Sequence, residues 1–237
     1  MCGRFTVAKP ISDLALEHDW LEQSGFVAPR YNLTPRQSVP IVRLESGRSV
    51  VRLFRWGLIP SWAKDEKLGD QCANARAETV TLKPAFRRAF KSQRCLVPAD
   101  GYYEWQTTPA GKMPHYFQPI GKDFFCMAGL WERWQRPPSD SPTLFDGLSD
   151  APIEPDVLDT FTLLTTTANE LVAQVHHRMP VILHPDHFQT WLEPHSDREA
   201  LQRLLVPCPM STMQFCPVSS RVNNARFDGP ECIAPVN

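Results

Sequence analysis

The feature that most narrows the fold is a pair of strand-like runs, Val39–Leu44 and Ser49–Arg55, meeting around Ser46-Gly47. Runs of this length and composition on either side of a turn signal predict an antiparallel hairpin, with Arg48, Arg52 and Arg55 on strand surfaces. Similar short runs recur along the chain. Arg94–Pro98 reads as a buried strand, Ala99-Asp100-Gly101 as a turn, and Tyr102-Tyr103-Glu104-Trp105 as the start of the next strand. A further strand pair is expected around Pro114–Pro119 and Phe124–Trp134, and another strand at Phe161–Thr167. The helices between them are short. One is expected from a Ser12 cap through about Gln23, and one from Pro84 through about Lys91 with Phe86 and Phe90 on one face. Others are expected at Asn169–Gln174, from His184-Pro185 through Leu192, and from a Ser196/Glu199 capping box through about Leu205. The tail from Pro217 reads as a loop and a final strand. The proline-rich, acidic stretch 137–156 reads as an insertion loop and not a domain linker, because strands resume beyond it.

A chain of 237 residues can bury a substantial core as one large domain or two small ones, and the strands that resume past 156 favour a single domain over 1–237. Its net charge of −1 argues against a nucleic-acid binder, but the distribution does not. Residues 1–100 hold 16 Lys and Arg against 10 Asp and Glu, and residues 101–237 hold 9 against 16. Such polarity is compatible with one electropositive face. The densest positive region is 71–100, with six basic residues and two acidic ones. Seven cysteines, with no C-x-x-C pair and no Cys/His cluster at zinc spacing, argue against a structural metal and against a disulfide framework. The amino terminus lacks a signal-peptide pattern, and no apolar run reaches membrane-spanning length, so a cytosolic protein with reduced thiols is expected.

That setting gives the start of the chain, Met1-Cys2-Gly3-Arg4-Phe5, a chemical meaning. Removal of Met1 would leave Cys2 with an α-amino group and a thiol on adjacent carbons. Their ordinary pKa values, about 7.7–8.0 and about 8.5, make both partly reactive near neutrality. A 1,2-aminothiol condenses with an aldehyde to a Schiff base, and the sulfur then closes a thiazolidine ring. Gly3 permits close backbone approach, and Arg4 places a permanent cation nearby, suited to phosphate. The alternative is a buried terminal strand with Cys2 as a small core residue.

Other stretches bear polar or aromatic groups in positions to join such a site. Arg30–Pro35 is a loop in which Asn32 and Pro35 look like turn residues. In Trp56–Trp62, Trp56 belongs to the core, while Trp62 is either core or a rigid platform for stacking a base. In an extended segment Asn74, Arg76 and Glu78 would project from one side, separated by alanines. Glu104, between Tyr103 and Trp105, is either an exposed strand glutamate or a desolvated acid usable at neutral pH. His176 and His177 are adjacent and should point in different directions, so one at most serves a site.

Together these blocks resemble the SOS-response-associated peptidase (SRAP) family, the abasic-site-processing proteins that crosslink to DNA. The likeness rests on M-C-G-R-F at 1–5, Y-N-x-x-P at 31–35, W-G-x-x-P-x-W at 56–62, N-A-R-x-E-T at 74–79, R-C-L-V-P-A-D-G-Y-Y-E-W at 94–105 and H-x-R-M-P-V-I-L at 176–183, with V-S at 218–219 and V-N at 222–223. It implies an α+β fold, a curved antiparallel barrel-like sheet with short flanking helices. It also implies a mature protein beginning at Cys2, which attacks the ring-opened aldehyde of an abasic site in single-stranded DNA and forms a stable thiazolidine. By the same resemblance Asn74 positions the sugar or the new linkage, Glu104 acts in acid/base steps, and His176 assists proton transfer at the sugar. Arg4 and Arg76 match phosphate-contacting positions. Trp62, Pro35 and Thr165 match positions lining the DNA groove and junction, and Asn32 lies in a motif at the site's edge. Abasic-site lyase activity and self-removal of Met1 are expected beside crosslinking. The expected partner is single-stranded DNA containing abasic sites, with no cofactor, metal or membrane, and a monomer is the default. The chain departs from the family in having Ala63 after Trp62 where some members have a second tryptophan, and in the length of the 137–156 stretch. Two other classes stay open: an amidotransferase with an amino-terminal nucleophile, for which no glutamine-binding or oxyanion-stabilising set is found, and a non-covalent single-stranded DNA-binding module.

Overall fold

The computed structural model describes residues 2–12, 18, 28–137 and 157–236, together with the backbone of 21–22. Its strands, in chain order, are β1 (Phe5–Val7), β2 (Leu21–Glu22), β3 (Arg30–Leu33), β4 (Ser38–Glu45), β5 (Arg48–Trp56), β6 (Asn74–Arg76), β7 (Arg94–Ala99), β8 (Gly101–Thr108), β9 (Gly111–Pro119), β10 (Phe125–Gln135), β11 (Val157–Thr167), β12 (Arg178–Pro180), β13 (Ile182–Leu183) and β14 (Met213–Pro217).

The predicted hairpin is β4–β5, registered from Ser38↔Arg55 to Glu45↔Arg48. Its two-residue loop places Ser46 at φ 48° and Gly47 at φ 79°, the left-handed pair that lets the turn follow the twist of the strands. From this hairpin a five-stranded ring closes. β4 pairs β7, β7 pairs β10, β10 pairs β11, and β11 returns to β5 through Thr160↔Arg55 and Phe161↔Trp56. The closing seam is parallel and the other pairings of the ring are antiparallel, so the barrel is mixed. Closure removes the free edges that an open sheet would present. Inside it, Trp56 packs on Phe5 with ring centroids 4.9 Å apart and stacks on Phe161 at 6.3 Å.

A second sheet runs β14-β9-β8-β1-β3. β9 and β10 therefore do not pair with each other, as their sequence order suggested. β9 belongs to the second sheet, between β8 and β14, and β10 to the barrel. Three further expectations are corrected. Leu21 and Glu22 run as a strand beside Val50 and Val51, so the helix expected from Ser12 does not reach Gln23; residues 13–17 and 19–20 lie outside the described residues. The helix Arg198–Arg203 is capped by Asp197, whose side chain accepts from Ala200 N, while the Ser196 hydroxyl donates to Thr190 O. The last strand is β14, which ends at Pro217, and beyond it the described chain runs in short 3-10 turns with one bridge, Val218↔Pro235. The 137–156 stretch lies, apart from Pro137, outside the described residues.

One glycine explains the course of the chain after β5. Gly57 has φ +118°, and a Cβ there would stand 2.8 Å from the carbonyl oxygen of Gly69. Only glycine lets the two backbones cross at this distance. The loop that follows buries Leu58 and Ile59 and leaves Trp62 outside.

Candidate active site at the amino terminus

Both sheets contribute to a site around Cys2. β1 lies between β3 and β8, with Phe5 opposite Tyr102, and the pairing continues toward the terminus because Tyr103 N donates to Arg4 O at 3.0 Å. This brings residues 2–4 alongside the segment of β8 that holds Glu104. From the barrel, β6 lies parallel to β11 with Leu163 opposite Asn74, and Asn74 Nδ2 donates to Cys2 O at 2.9 Å. Side chains of β8 alternate between faces, so Tyr102 and Glu104 share the side toward Cys2. His176 follows the short helix Glu170–Ala173, with Nδ1 3.9 Å from Glu104 Oε1.

Electrostatics separate these groups. Glu104 is 2% exposed, and burial pushes it up to about 7, against the pull of the chain's amino-terminal charge. It is thus not an exposed strand glutamate but an acid that titrates near neutrality. Burial also lowers His176, with the amino-terminal charge adding to the effect, so the ring is neutral at pH 7. Arg178 N donates to His176 Nδ1 at 3.0 Å. The Arg178 carbonyl oxygen lies 3.2 Å from the same nitrogen, so the Arg178 main chain holds the ring in place in either tautomer.

The thiol departs from expectation. Cys2 is fully buried, and desolvation, reinforced by the Glu104 carboxylate, pushes its pKa far above the usual thiol range. A thiol partly ionised near neutrality is therefore corrected to a neutral one. Cys2 is at once a core residue and a neighbour of Asn74, so the two readings of its position do not exclude each other. The histidines also differ from expectation. Their rings stack, with centroids 4.4 Å apart and planes 28° apart, His176 half-buried and His177 exposed.

The remaining residues singled out from sequence fall into two groups. Arg76 and Trp62 are exposed, Trp62 by 59%, and Pro35 is half-buried beside exposed Arg36. Arg88 contacts the Ser61 hydroxyl, which ties the helix Arg87–Ser92 to the Trp62 loop and groups its exposed Arg87, Arg88 and Lys91 there. Arg4, Asn32 and Thr165 are turned inward. Arg4 donates to Asn32 Oδ1 at 3.0 Å, to Val222 O, and to Asn223 O at 3.0 Å, with its guanidinium 5.8 Å from the Trp105 ring centre. Asn32 is buried, and its Nδ2 reaches the carbonyls of Val222, Asn224 and Phe227. Thr165 is fully buried and hydrogen-bonded to Ala75 O and Arg178. Arg94, counted in the basic region, is buried with its guanidinium on the carbonyls of Phe90, Lys91, Trp191 and Glu193, so it adds nothing to a surface charge.

Sequence reasoning assigned no role to Arg178 or to Asn223. Arg178 holds the Glu78 carboxylate, and Asn223 Oδ1 accepts from Trp105 Nε1 at 2.7 Å. Both lie inside motif blocks, but only the folded chain shows their partners. A cavity of about 740 Å³, lined among others by Phe124, Leu183, Phe188, Arg203 and Met213, includes none of the residues around Cys2.

A buried cysteine near the amino terminus, a carboxyl group raised to about 7 and a histidine within 4 Å of it are groups capable of proton-assisted carbonyl chemistry. The chain belongs to the SOS response associated peptidase (SRAP) family, whose sequence model it matches over residues 1–225. It is 38% identical over 237 residues to abasic site processing protein YoqW of Bacillus subtilis (strain 168), covering 98% of this chain and 99% of that one. It is 32% identical over 251 residues to abasic site processing protein HMCES of Gallus gallus, covering 92% of this chain and 69% of that protein. A crystal structure of a protein from Bacteroides thetaiotaomicron superposes over the full length of both chains with a TM-score of 0.84 at 25% identity.

Proposed function

We propose that this protein recognises abasic sites in single-stranded DNA and captures them covalently through Cys2 once Met1 has been removed. The observation that bears most weight is the convergence of Asn74, Glu104 and His176 on the amino-terminal segment, in a chain whose relatives are named abasic site processing proteins.

The chemistry follows from the groups present. The Cys2 amine adds to the aldehyde carbon of the ring-opened sugar, giving a carbinolamine. Glu104, protonated in part at neutral pH, donates the proton with which hydroxide leaves as water, and a Schiff base remains. The sulfur of Cys2 then adds to the same carbon of this protonated Schiff base, the thiol proton passes to the Glu104 carboxylate and restores the acid, and the thiazolidine closes with one water lost in total. A neutral thiol suits this last step, because the proton it releases is the one Glu104 takes back. Asn74 holds the Cys2 carbonyl so that amine and sulfur present a fixed geometry, replacing chance encounter by proximity. Where ring closure fails, the Schiff base acidifies the adjacent sugar C–H, and β-elimination gives lyase activity. Removal of Met1 by the protein itself belongs to the same proposal.

DNA contact requires no base readout, since the substrate lacks a base. The exposed Arg76, Arg87, Arg88 and Lys91 supply sequence-independent phosphate attraction, and Trp62 supplies a stacking surface. The test incubates the Met1-free protein with single-stranded DNA containing one abasic site and resolves the products on a denaturing gel. A shifted species is expected, absent with intact DNA and absent for Cys2→Ala. An adduct that survives Cys2→Ala would overturn the assignment.

A further inference from the structure

We propose that the cavity beside β14 is a second binding site, one that takes a small amphipathic carboxylate: an apolar carbon body with one anionic end. The site lies apart from Cys2, and the inference stands whether or not that residue crosslinks DNA.

The cavity, about 740 Å³, falls in the size range of small-molecule sites. Its wall is fixed by pairing and hydrogen bonds. β10 and β13 supply Cys126 and Leu183, which stand opposite each other in register. The segment from Arg203 to Met213 is tied down at three points. Leu205 O accepts from Thr166 Oγ1 at 3.2 Å, Cys208 O from Asn169 Nδ2 at 2.9 Å, and Thr212 O from Ile120 N at 2.9 Å. A site held this way needs little ordering when a ligand enters.

The lining is apolar and cationic at once. Ile120 and Val206 belong to it, and Met210 lies between the lining residues Pro209 and Ser211, yet all three are exposed. Apolar side chains gathered in water around a cavity mark a place where another molecule covers them. Lys122 and Arg203 line the same cavity, and neither forms an ion pair among the described residues. The carboxylate on this wall, Asp123, is taken by Lys9. The histidines there are engaged with their neighbours. His184 Nδ1 lies 3.3 Å from Asp186, the His187 ring meets that of His184, and His18 packs on Phe124 and Phe188. A neutral apolar ligand would cover the two cations without replacing their water, which is costly. An inorganic anion would leave the apolar wall wet. A carboxylate on an apolar body meets both demands: Arg203 pairs with it through its planar fork, Lys122 adds a point charge, and the body takes apolar surface out of water.

The test uses the full chain and decanoate below its micellar concentration, with acetate and decan-1-ol supplying the head and the body alone. Methionine-methyl NMR titration is expected to show saturable movement of Met213, assigned by Met213→Leu, while Met113 on the β8–β9 hairpin stays in place. Decan-1-ol should bind about 10-fold more weakly and acetate should not saturate. Lys122→Gln/Arg203→Gln changes two exposed residues and should weaken decanoate about 10-fold while altering decan-1-ol less than twofold. Crosslinking to abasic DNA in that variant should stay within about twofold of wild type, because the cavity includes none of the residues around Cys2. No saturable decanoate binding, an unmoved Met213 methyl, or equal decanoate affinity in wild type and variant would overturn the proposal. Crosslinking lost together with decanoate binding would assign the two cations to DNA and overturn it as well. Cosedimentation with anionic phospholipid vesicles, in a protein that ignores monomeric decanoate, would identify a membrane contact in its place.

Discussion

Asn74 Nδ2 lies 2.9 Å from the carbonyl oxygen of Cys2, joining β6, which pairs with the barrel strand β11, to the amino-terminal segment across 72 residues of sequence. The Asn74 Oδ1 atom is buried and has no hydrogen-bond partner among the described residues. Asn74 thus fixes the main chain of Cys2 with one end and keeps an acceptor available with the other.

Asn74→Ala removes that hold without touching the aminothiol. A lost buried hydrogen bond of about 1–3 kcal/mol predicts crosslinking slower by roughly 5- to 150-fold, with little change in DNA affinity. Single-turnover gels beside binding to an unreactive abasic analogue separate the two quantities.

Glu104 gives a pH signature. Its value in the folded protein, about 7, lies above its ordinary 4.5, so between these limits the folded state binds more protons than the unfolded chain. Stability from this source is present at low pH and is lost as pH rises from 4.5 through 7. Urea unfolding at pH 5, 6 and 7 should show wild type losing ground to Glu104→Gln, with a slope of at most about 1.4 kcal/mol per pH unit. Equal pH dependence in the two proteins would show that the carboxyl is not held protonated.

Trp62 is exposed and packs no core, so Trp62→Ala should leave unfolding free energy within about 0.5 kcal/mol of wild type. A stacking contribution of about 1–3 kcal/mol predicts single-stranded DNA affinity weaker by roughly 5- to 150-fold. Fluorescence titration at one fixed salt concentration measures it.

Gly57→Ala tests the fold beneath the site. It meets both a strained φ of +118° and a backbone oxygen 2.8 Å away, and neither can be relieved by turning a side chain. The expected loss is about 2–4 kcal/mol in equilibrium unfolding.

How much of this was legible beforehand differs from residue to residue. The β4–β5 hairpin was, because its strands, turn and register are all encoded within eighteen consecutive or nearly consecutive positions. The barrel was not, because its closing seam pairs Arg55 and Trp56 with Thr160 and Phe161, and periodicity shows which face is buried but not which strand lies alongside. The order of β9 and β10 misled for the same reason. Glu104 was legible as a candidate from its aromatic neighbours, but its raised pKa depends on burial that only the folded chain shows. Ser196 and Asp197 are both good capping residues one position apart, so the sequence pattern alone could not choose between them. Arg4 looked like a free cation because charge patterns do not reveal a carbonyl more than two hundred residues away.

That last contact has a consequence for how the molecule comes into being. The guanidinium of Arg4 is seated on the main-chain oxygens of Val222 and Asn223, the former 218 positions downstream. The segment around Arg4 therefore cannot complete its surroundings until Val222 and Asn223, more than two hundred positions further on, have been made and have cleared the ribosome. A growing chain, or one cut short before Val222, would possess the cysteine but lack the carbonyls that seat Arg4 two residues beyond it.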